Sequence, residues 1–183
     1  MTATLFRHVQ QPRKARVQPA GLNIELGTAI GTAPTSLAAF DAALRVLGVG
    51  EANLIRLSSV IPPNSAIVAT DRVRKPINWG DRLYCVYAEQ RATRPGQTAA
   101  AGIGWALSDD GSGAGLFVEH EAETESEVID LIHASLEDMT SNRPGGFSRP
   151  AYRTVATRCE DRPVCALVLA AYQSTPWFTG GAR

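Results

Sequence analysis

Apolar positions along the chain fall in short runs separated by turns rich in Gly, Pro and Asp. Leu22 to Leu26 is predicted as a strand, followed by a loop from Gly27 to Pro34. Thr35 or Ser36 then caps a helix that carries Leu37, Phe40, Leu44 and Leu47 on one face and stops at Gly48 or Gly50. Asn53 to Val60 is predicted as one β-rich run ended by Pro62-Pro63, with further strands at Ile67–Ala69, Arg82–Ala92, Ala99–Leu107 and Gly115–Glu121. Thr124-Glu125-Ser126-Glu127 reads as a capping box opening a helix with Val128, Ile132, Ser135 or Leu136, and Met139 on one stripe, ending before Pro144. Two last strands, Tyr152–Cys159 and Val164–Tyr172, flank the turn Glu160 to Pro163. Seven or eight strands, often adjacent in sequence, with two helices favour an α+β fold with antiparallel or mixed sheet over a doubly wound one.

Residues 1–20 show no hydrophobic period and hold four basic residues, which predicts a flexible basic arm; 21–173 would be the single domain, and 174–183 an apolar tail with Trp177 and Phe178 that docks somewhere. The 183 residues carry 18 basic and 18 acidic side chains, so a nucleic-acid surface is not expected. No apolar run approaches ~20 residues, so neither is a membrane span. Three cysteines, Cys85, Cys159 and Cys165, are too few and too odd for a disulfide framework, and a cytoplasmic protein is expected.

The familiar catalytic patterns are missing. His8, His120 and His133 lie far apart, and no Cys or His pair has metal-ligand spacing, so no metal is expected. Gly27-x3-Gly31 and Gly102-x-Gly104 lack what a phosphate loop needs, and there is no Gly-x-Ser-x-Gly elbow. What remains is Asn53-Leu54-Ile55-Arg56-Leu57-Ser58-Ser59-Val60-Ile61-Pro62-Pro63, with two serines at the end of an apolar strand. By residue type alone, Ser58 and Ser59 simply begin a turn.

Together with Ala39-Phe40-Asp41-Ala42-Ala43-Leu44 and Gly115-Leu116-Phe117-Val118-Glu119-His120-Glu121, this stretch resembles the pyruvoyl-dependent arginine decarboxylase family from about Leu22 to about Tyr172. The resemblance implies an αββα sandwich that cuts itself between Ser58 and Ser59 into a small chain, 1–58, and a large chain from 59. The cleaved protomers would form a homotrimer with active sites between neighbouring subunits. The chemistry is available to these residue types. The Ser59 hydroxyl attacks the Ser58 carbonyl, and the amide becomes an ester. β-Elimination then releases the Ser58 carboxylate, and the dehydroalanine left behind tautomerises and hydrolyses to pyruvoyl and ammonia. Positioning the hydroxyl is worth ~7–11 kcal/mol of the barrier.

The resemblance further implies that the covalent pyruvoyl cofactor takes the place of pyridoxal phosphate, forming a Schiff base with an amino-acid substrate, most simply L-arginine, and releasing CO2 and agmatine. Glu119 would be the general acid that returns a proton, with Glu121 on the same strand face as the fallback. Asn53 would orient the reacting group, Asp41 would pair with the distal cation, Leu37 would line the aliphatic stem, and Gly50 and Ala52 would offer backbone groups. Ser36-Leu37-Ala38 departs from the family's Pro-Leu-Asn. That departure leaves open a modified guanidino or other amino acid as substrate. An uncleaved homologue acting as a binding or assembly subunit is a further alternative.

Overall fold

A computed structural model describes residues 21–178; the basic arm expected over 1–20 and the last residues of the tail lie outside the described residues. In chain order the elements are β1 (Leu22–Thr32), α1 (Ser36–Leu47), β2 (Asn53–Arg56), β3 (Val60–Ile61), β4 (Ser65–Ala69), β5 (Arg82–Ala92), β6 (Thr98–Leu107), β7 (Gly115–Ala122), α2 (Glu125–Ser141), β8 (Ala151–Arg158) and β9 (Val164–Thr175). A five-stranded sheet has the order β2-β5-β9-β1-β4 and a four-stranded sheet the order β3-β7-β6-β8. β1 pairs with β4 and β2 with β5 in parallel, and the other ladders are antiparallel, so the sheets are mixed.

Alternation along the strands decides what each face meets. On β9, Val164, Ala166, Val168, Ala170 and Tyr172 point into one buried cluster, which they share with Ile24, Leu26, Val86, Ile103 and Phe117 from both sheets. Its odd-numbered neighbours Cys165, Leu167, Leu169 and Ala171 face α1. In the second sheet, Ala100, Leu116 and Val118 pack under Val128, Ile132 and Leu136 of α2. A strand covered on both sides reads as a continuous apolar run, as Val164 to Tyr172 does. The result is one α+β domain. Among the described residues, no helix is long and apolar enough to cross a membrane.

Both helix starts are set locally. Thr35 caps α1 by accepting from the Ala38 amide, and Gly48 ends it in the left-handed conformation. Thr124 and Glu127 form the expected capping box on α2.

Three expectations need correction. β1 runs on to Thr32, where a loop from Gly27 was expected. A side chain at Gly31 would collide with the α1 backbone at Ala39 and Ala43, so this glycine serves close helix packing and not a turn. The buried face of α1 is correspondingly Ala39, Ala43, Leu44 and Leu47, while Leu37 is 69% exposed. Finally, Asn53–Val60 is not one strand. β2 belongs to the five-stranded sheet and β3 to the four-stranded sheet.

Candidate active site

The break between β2 and β3 is where the site begins. The Leu57 amide donates to Cys85 O of β5 at 2.9 Å, still on the first sheet, whereas Ser59 O accepts from the Phe117 amide of β7 at 2.8 Å, already on the second. Exposed Ser58 is the one residue between these two anchors, and the Ser58–Ser59 peptide lies where the chain changes sheets. Ser59 is held at φ 67°, a left-handed conformation that serine adopts at a cost.

β7 supplies the partner. Phe117 points into the buried cluster between the sheets, and Glu119, two residues on, leaves on the same face. The Ser59 hydroxyl donates to Glu119 Oε2 at 2.7 Å, while Glu119 Oε1 is buried with no hydrogen-bond partner. Burial pushes the Glu119 carboxyl above its ordinary 4.5; the Ser59 hydrogen bond and the Arg56 charge pull it back, and Glu121 pushes it further up. Glu121, the fallback acid, is exposed.

Tyr172, which sequence reasoning missed, closes the same corner. Its hydroxyl donates to Val60 O at 3.1 Å, and its ring meets Phe117 edge-on at 6.1 Å between centroids. Burial, with the Glu119 charge behind it, raises the Tyr172 hydroxyl well above its usual range, so it stays a neutral donor. Arg56 was likewise missed. Its guanidinium lies 4.9 Å over the Tyr87 ring and donates to Tyr87 O at 3.1 Å. Neither residue carries a signal in the sequence, because each gains its place by pairing between distant strands.

The remaining candidates gather elsewhere. Asp41, Gly50, Ala52 and Asn53 line one groove of about 640 Å3 with Arg45, Glu51, Trp79 and Gly80. Asp41 is engaged by Arg45 one helical turn on, at 2.9 Å, with both side chains more than half exposed. Asn53 Nδ2 donates to Gly80 O at 2.7 Å. Leu37 lies in an adjoining hollow of about 510 Å3 with Thr35, Ala38, Phe40 and Leu44, and Asp41 belongs to both. Among the described residues, no hydrogen bond joins the Asp41–Asn53 groove to the Ser59–Glu119 pair.

The residues at the serine pair fit a pyruvoyl group. Position 59 holds the hydroxyl and the strained backbone that would generate it, and the unpartnered Glu119 Oε1 is a buried polar atom with nothing of its own to bind. The free cysteines Cys85, Cys159 and Cys165 are all buried, and burial holds Cys85 and Cys165 up at about 12, so neither is a nucleophile.

Several known proteins are similar to this chain. A Halobacterium salinarum protein named pyruvoyl-dependent arginine decarboxylase is 35% identical over 158 residues, covering 85% of this chain and 97% of the relative. A protein of the same name from Thermococcus sibiricus is 34% identical over 134 residues, 73% of this chain and 83% of its own. In Methanosarcina mazei, pyruvoyl-dependent arginine decarboxylase 1 is 35% identical over 132 residues, 68% of this chain and 80% of its own. The sequence profile of the family matches residues 23–175, which take in the serine pair, Glu119 and the whole Asp41–Asn53 groove, and the chain belongs to the pyruvoyl-dependent arginine decarboxylases.

Proposed function

We propose that the chain cuts itself between Ser58 and Ser59 and that the mature protein decarboxylates L-arginine to agmatine and CO2. The observation that carries this reading is the Ser59 hydroxyl at 2.7 Å from a half-buried carboxylate, on a residue held at φ 67° where the chain passes between sheets.

In the self-cleavage, Glu119 takes the Ser59 proton as Oγ adds to the Ser58 carbonyl carbon. The C–N bond breaks, the freed Ser59 nitrogen takes a proton, and an ester remains. Loss of the Ser59 α-proton then expels the Ser58 carboxylate. Hydrolysis of the resulting enamine releases ammonia and leaves the pyruvoyl carbonyl at residue 59. The left-handed backbone contributes ~1–3 kcal/mol of strain toward this step. The Phe117 amide fixes Ser59 O, and the Tyr172 hydroxyl fixes Val60 O, so the downstream backbone does not swing away.

In the decarboxylation, a pyruvoyl group linked to the substrate amine would supply the sink for the electron pair left as CO2 departs. The chain's own residues bind and move protons. Glu119, with its carboxyl raised by burial, holds a proton at neutral pH more readily than an ordinary glutamate and returns it to the substrate α-carbon. Asp41 pairs with the guanidinium in a two-pronged contact, Glu51 adds negative charge to the same groove, and Leu37 packs on the methylene stem. Asn53 orients the reacting end, and Gly50 and Ala52 offer backbone groups.

The separation of these two sets within one chain supports a homotrimer in which the Asp41 groove of one copy meets the Ser59–Glu119 corner of its neighbour. The two helices and two sheets, layered with cores between them, are read as the αββα sandwich of such a protomer. We place the enzyme in the cytoplasm.

A denaturing gel with intact masses tests this reading. Fragments of residues 1–58 and 59–183, the larger one blocked to N-terminal sequencing and trapped by hydride or hydrazine, are the expected result. A chain that stays whole after prolonged incubation would instead make it a binding or assembly subunit. If the chain is cleaved, a panel of cationic and neutral amino acids decides the substrate.

A further inference from the structure

Beyond β9 the chain turns onto the wall of the Asp41–Asn53 groove. Pro176 O accepts from Arg82 Nη2 at 2.6 Å, the Arg82 guanidinium lies 4.7 Å over the Trp177 ring, and Trp177 Nε1 donates to Gly80 O at 2.8 Å. Trp177 lies past residue 175, where the family match ends.

Gly80 is a junction. Its carbonyl takes two donors, Trp177 Nε1 and Asn53 Nδ2, which uses both oxygen lone pairs. Its amide donates to Glu51 O at 2.7 Å, and the Asn53 amide donates to Asp81 O at 2.7 Å, so the turn at Gly80 and the Glu51–Asn53 segment hold each other. Gly80 itself sits at φ 81°, a conformation open to a residue with no side chain and therefore soft. The indole restrains that carbonyl from the tail, while Trp79 and Gly80 line the groove.

We propose that Trp177 is a positioning residue for substrate: its indole N–H fixes the Gly80 carbonyl, and through it the side-chain amide of Asn53 in the groove. The proposal rests on the reading that this groove receives the substrate. The tail is then a strap that sets the shape of the binding wall, with no contact of its own to the ligand. Preorganising a polar group in this way lowers the cost of binding.

The test is agmatine affinity of the mature enzyme by calorimetry, which reads binding without turnover, alongside kcat and KM for arginine. Trp177→Phe keeps an aromatic ring over Arg82 and removes the N–H donor together with the second ring. It is expected to weaken agmatine about three- to tenfold and to raise the arginine KM by a similar factor, with kcat changed less. In an Asn53→Ala background the same substitution is expected to do nothing further, which a merely structural effect of the tail would not reproduce. Wild-type affinity in Trp177→Phe, or an equal loss in both backgrounds, overturns the proposal. Asp41→Asn separates the two readings. If it weakens agmatine while Trp177→Phe does not, the groove stands and the strap falls; if Asp41→Asn leaves agmatine untouched, both fall.

Discussion

Ser59 and Glu119, sixty positions apart, meet through one hydrogen bond of 2.7 Å because β3 pairs with β7 at Val60 and Leu116. That pairing sets Ser59 beside the carboxylate. In the proposed mechanism, the same carboxylate that takes a proton in cleavage would be left next to residue 59 for turnover. Glu119→Gln keeps an oxygen acceptor and loses the ability to take the proton. Cleavage is expected to slow by about a hundredfold or more, the usual contribution of a general base. Fragment appearance over time on a denaturing gel measures it, and an unchanged rate would remove Glu119 from the processing step.

The two proposed steps would need opposite forms of Glu119, which predicts opposite pH dependences. Burial raises the Glu119 pKa above 4.5. Cleavage uses the ionised form, so its rate rises with pH through that raised value. Proton return uses the protonated form, so single-turnover decarboxylation falls as pH rises through it. Desolvation also costs stability once the group ionises. The unfolded chain gives up this proton at lower pH than the folded one, so Glu119 favours the folded state fully below the ordinary value, and that favour is lost as pH climbs through the raised one. Rates of precursor processing and of matured enzyme, measured over the same pH series, should show limbs of opposite slope.

Strain at Ser59 is separable from its chemistry. Ser59→Ala and Ser59→Gly both lack the nucleophile and are expected to remain single chains. Only glycine takes φ 67° without penalty, so Ser59→Gly should be more stable than Ser59→Ala by about 1 kcal/mol in denaturant unfolding. Equal stabilities would mean the left-handed backbone stores nothing.

What could be read along the chain was local. The Thr124 capping box depends on a few consecutive residues and was read outright, while the choice of Thr35 over Ser36 and of Gly48 over Gly50 was settled only by the structure. The sheet change at Leu57–Ser59 was hidden, because no Gly or Pro interrupts Asn53 to Val60 and only pairing with Cys85 on one side and Phe117 on the other splits it. Gly27 and Gly31 imitate a turn, yet they are small because α1 lies against them. For the site, the pattern of residues identified Ser59 and Glu119 as a pair by resemblance. Tyr172 and Trp177 act through backbone carbonyls, Val60 O and Gly80 O, and no side-chain motif marks such contacts.

Asp41 and Arg45 form an exposed i,i+4 ion pair on α1, which the sequence reading did not include. Such an exposed pair contributes only about 0.3–0.5 kcal/mol, so an arriving guanidinium would displace Arg45 at small cost. Arg45→Ala should lower the arginine KM by no more than about twofold. Asp41→Asn removes a charge-assisted contact and should raise it ten- to a hundredfold, roughly the effect of losing a hydrogen bond to a charged group. Steady-state kinetics at fixed ionic strength distinguishes these, and a large loss in Arg45→Ala would assign Arg45 a direct role in binding.

Cleavage after Ser58, as proposed, would sever the chain between two interlocked pieces. The small fragment supplies β1, α1 and β2, and β1 lies between β9 and β4 while β2 pairs with β5, all three neighbours belonging to the large fragment. Glu25 to Thr32 pair with β9 over eight positions, Leu22 to Leu26 with β4 over five, and Asn53 to Arg56 with β5 over four. Ile24, Leu26 and Leu47 of the small fragment are buried in the same clusters as Val168 and Leu167 of the large one. These contacts do not pass through the scissile peptide, so both fragments should co-elute on size exclusion at native pH and part only in denaturant. Thermal unfolding of the cleaved protein should remain one transition, lowered relative to the uncleaved Ser59→Gly chain because linkage no longer restrains the unfolded state. Separation of the fragments without denaturant would show that the β1 pairings are too weak to hold a cut chain together.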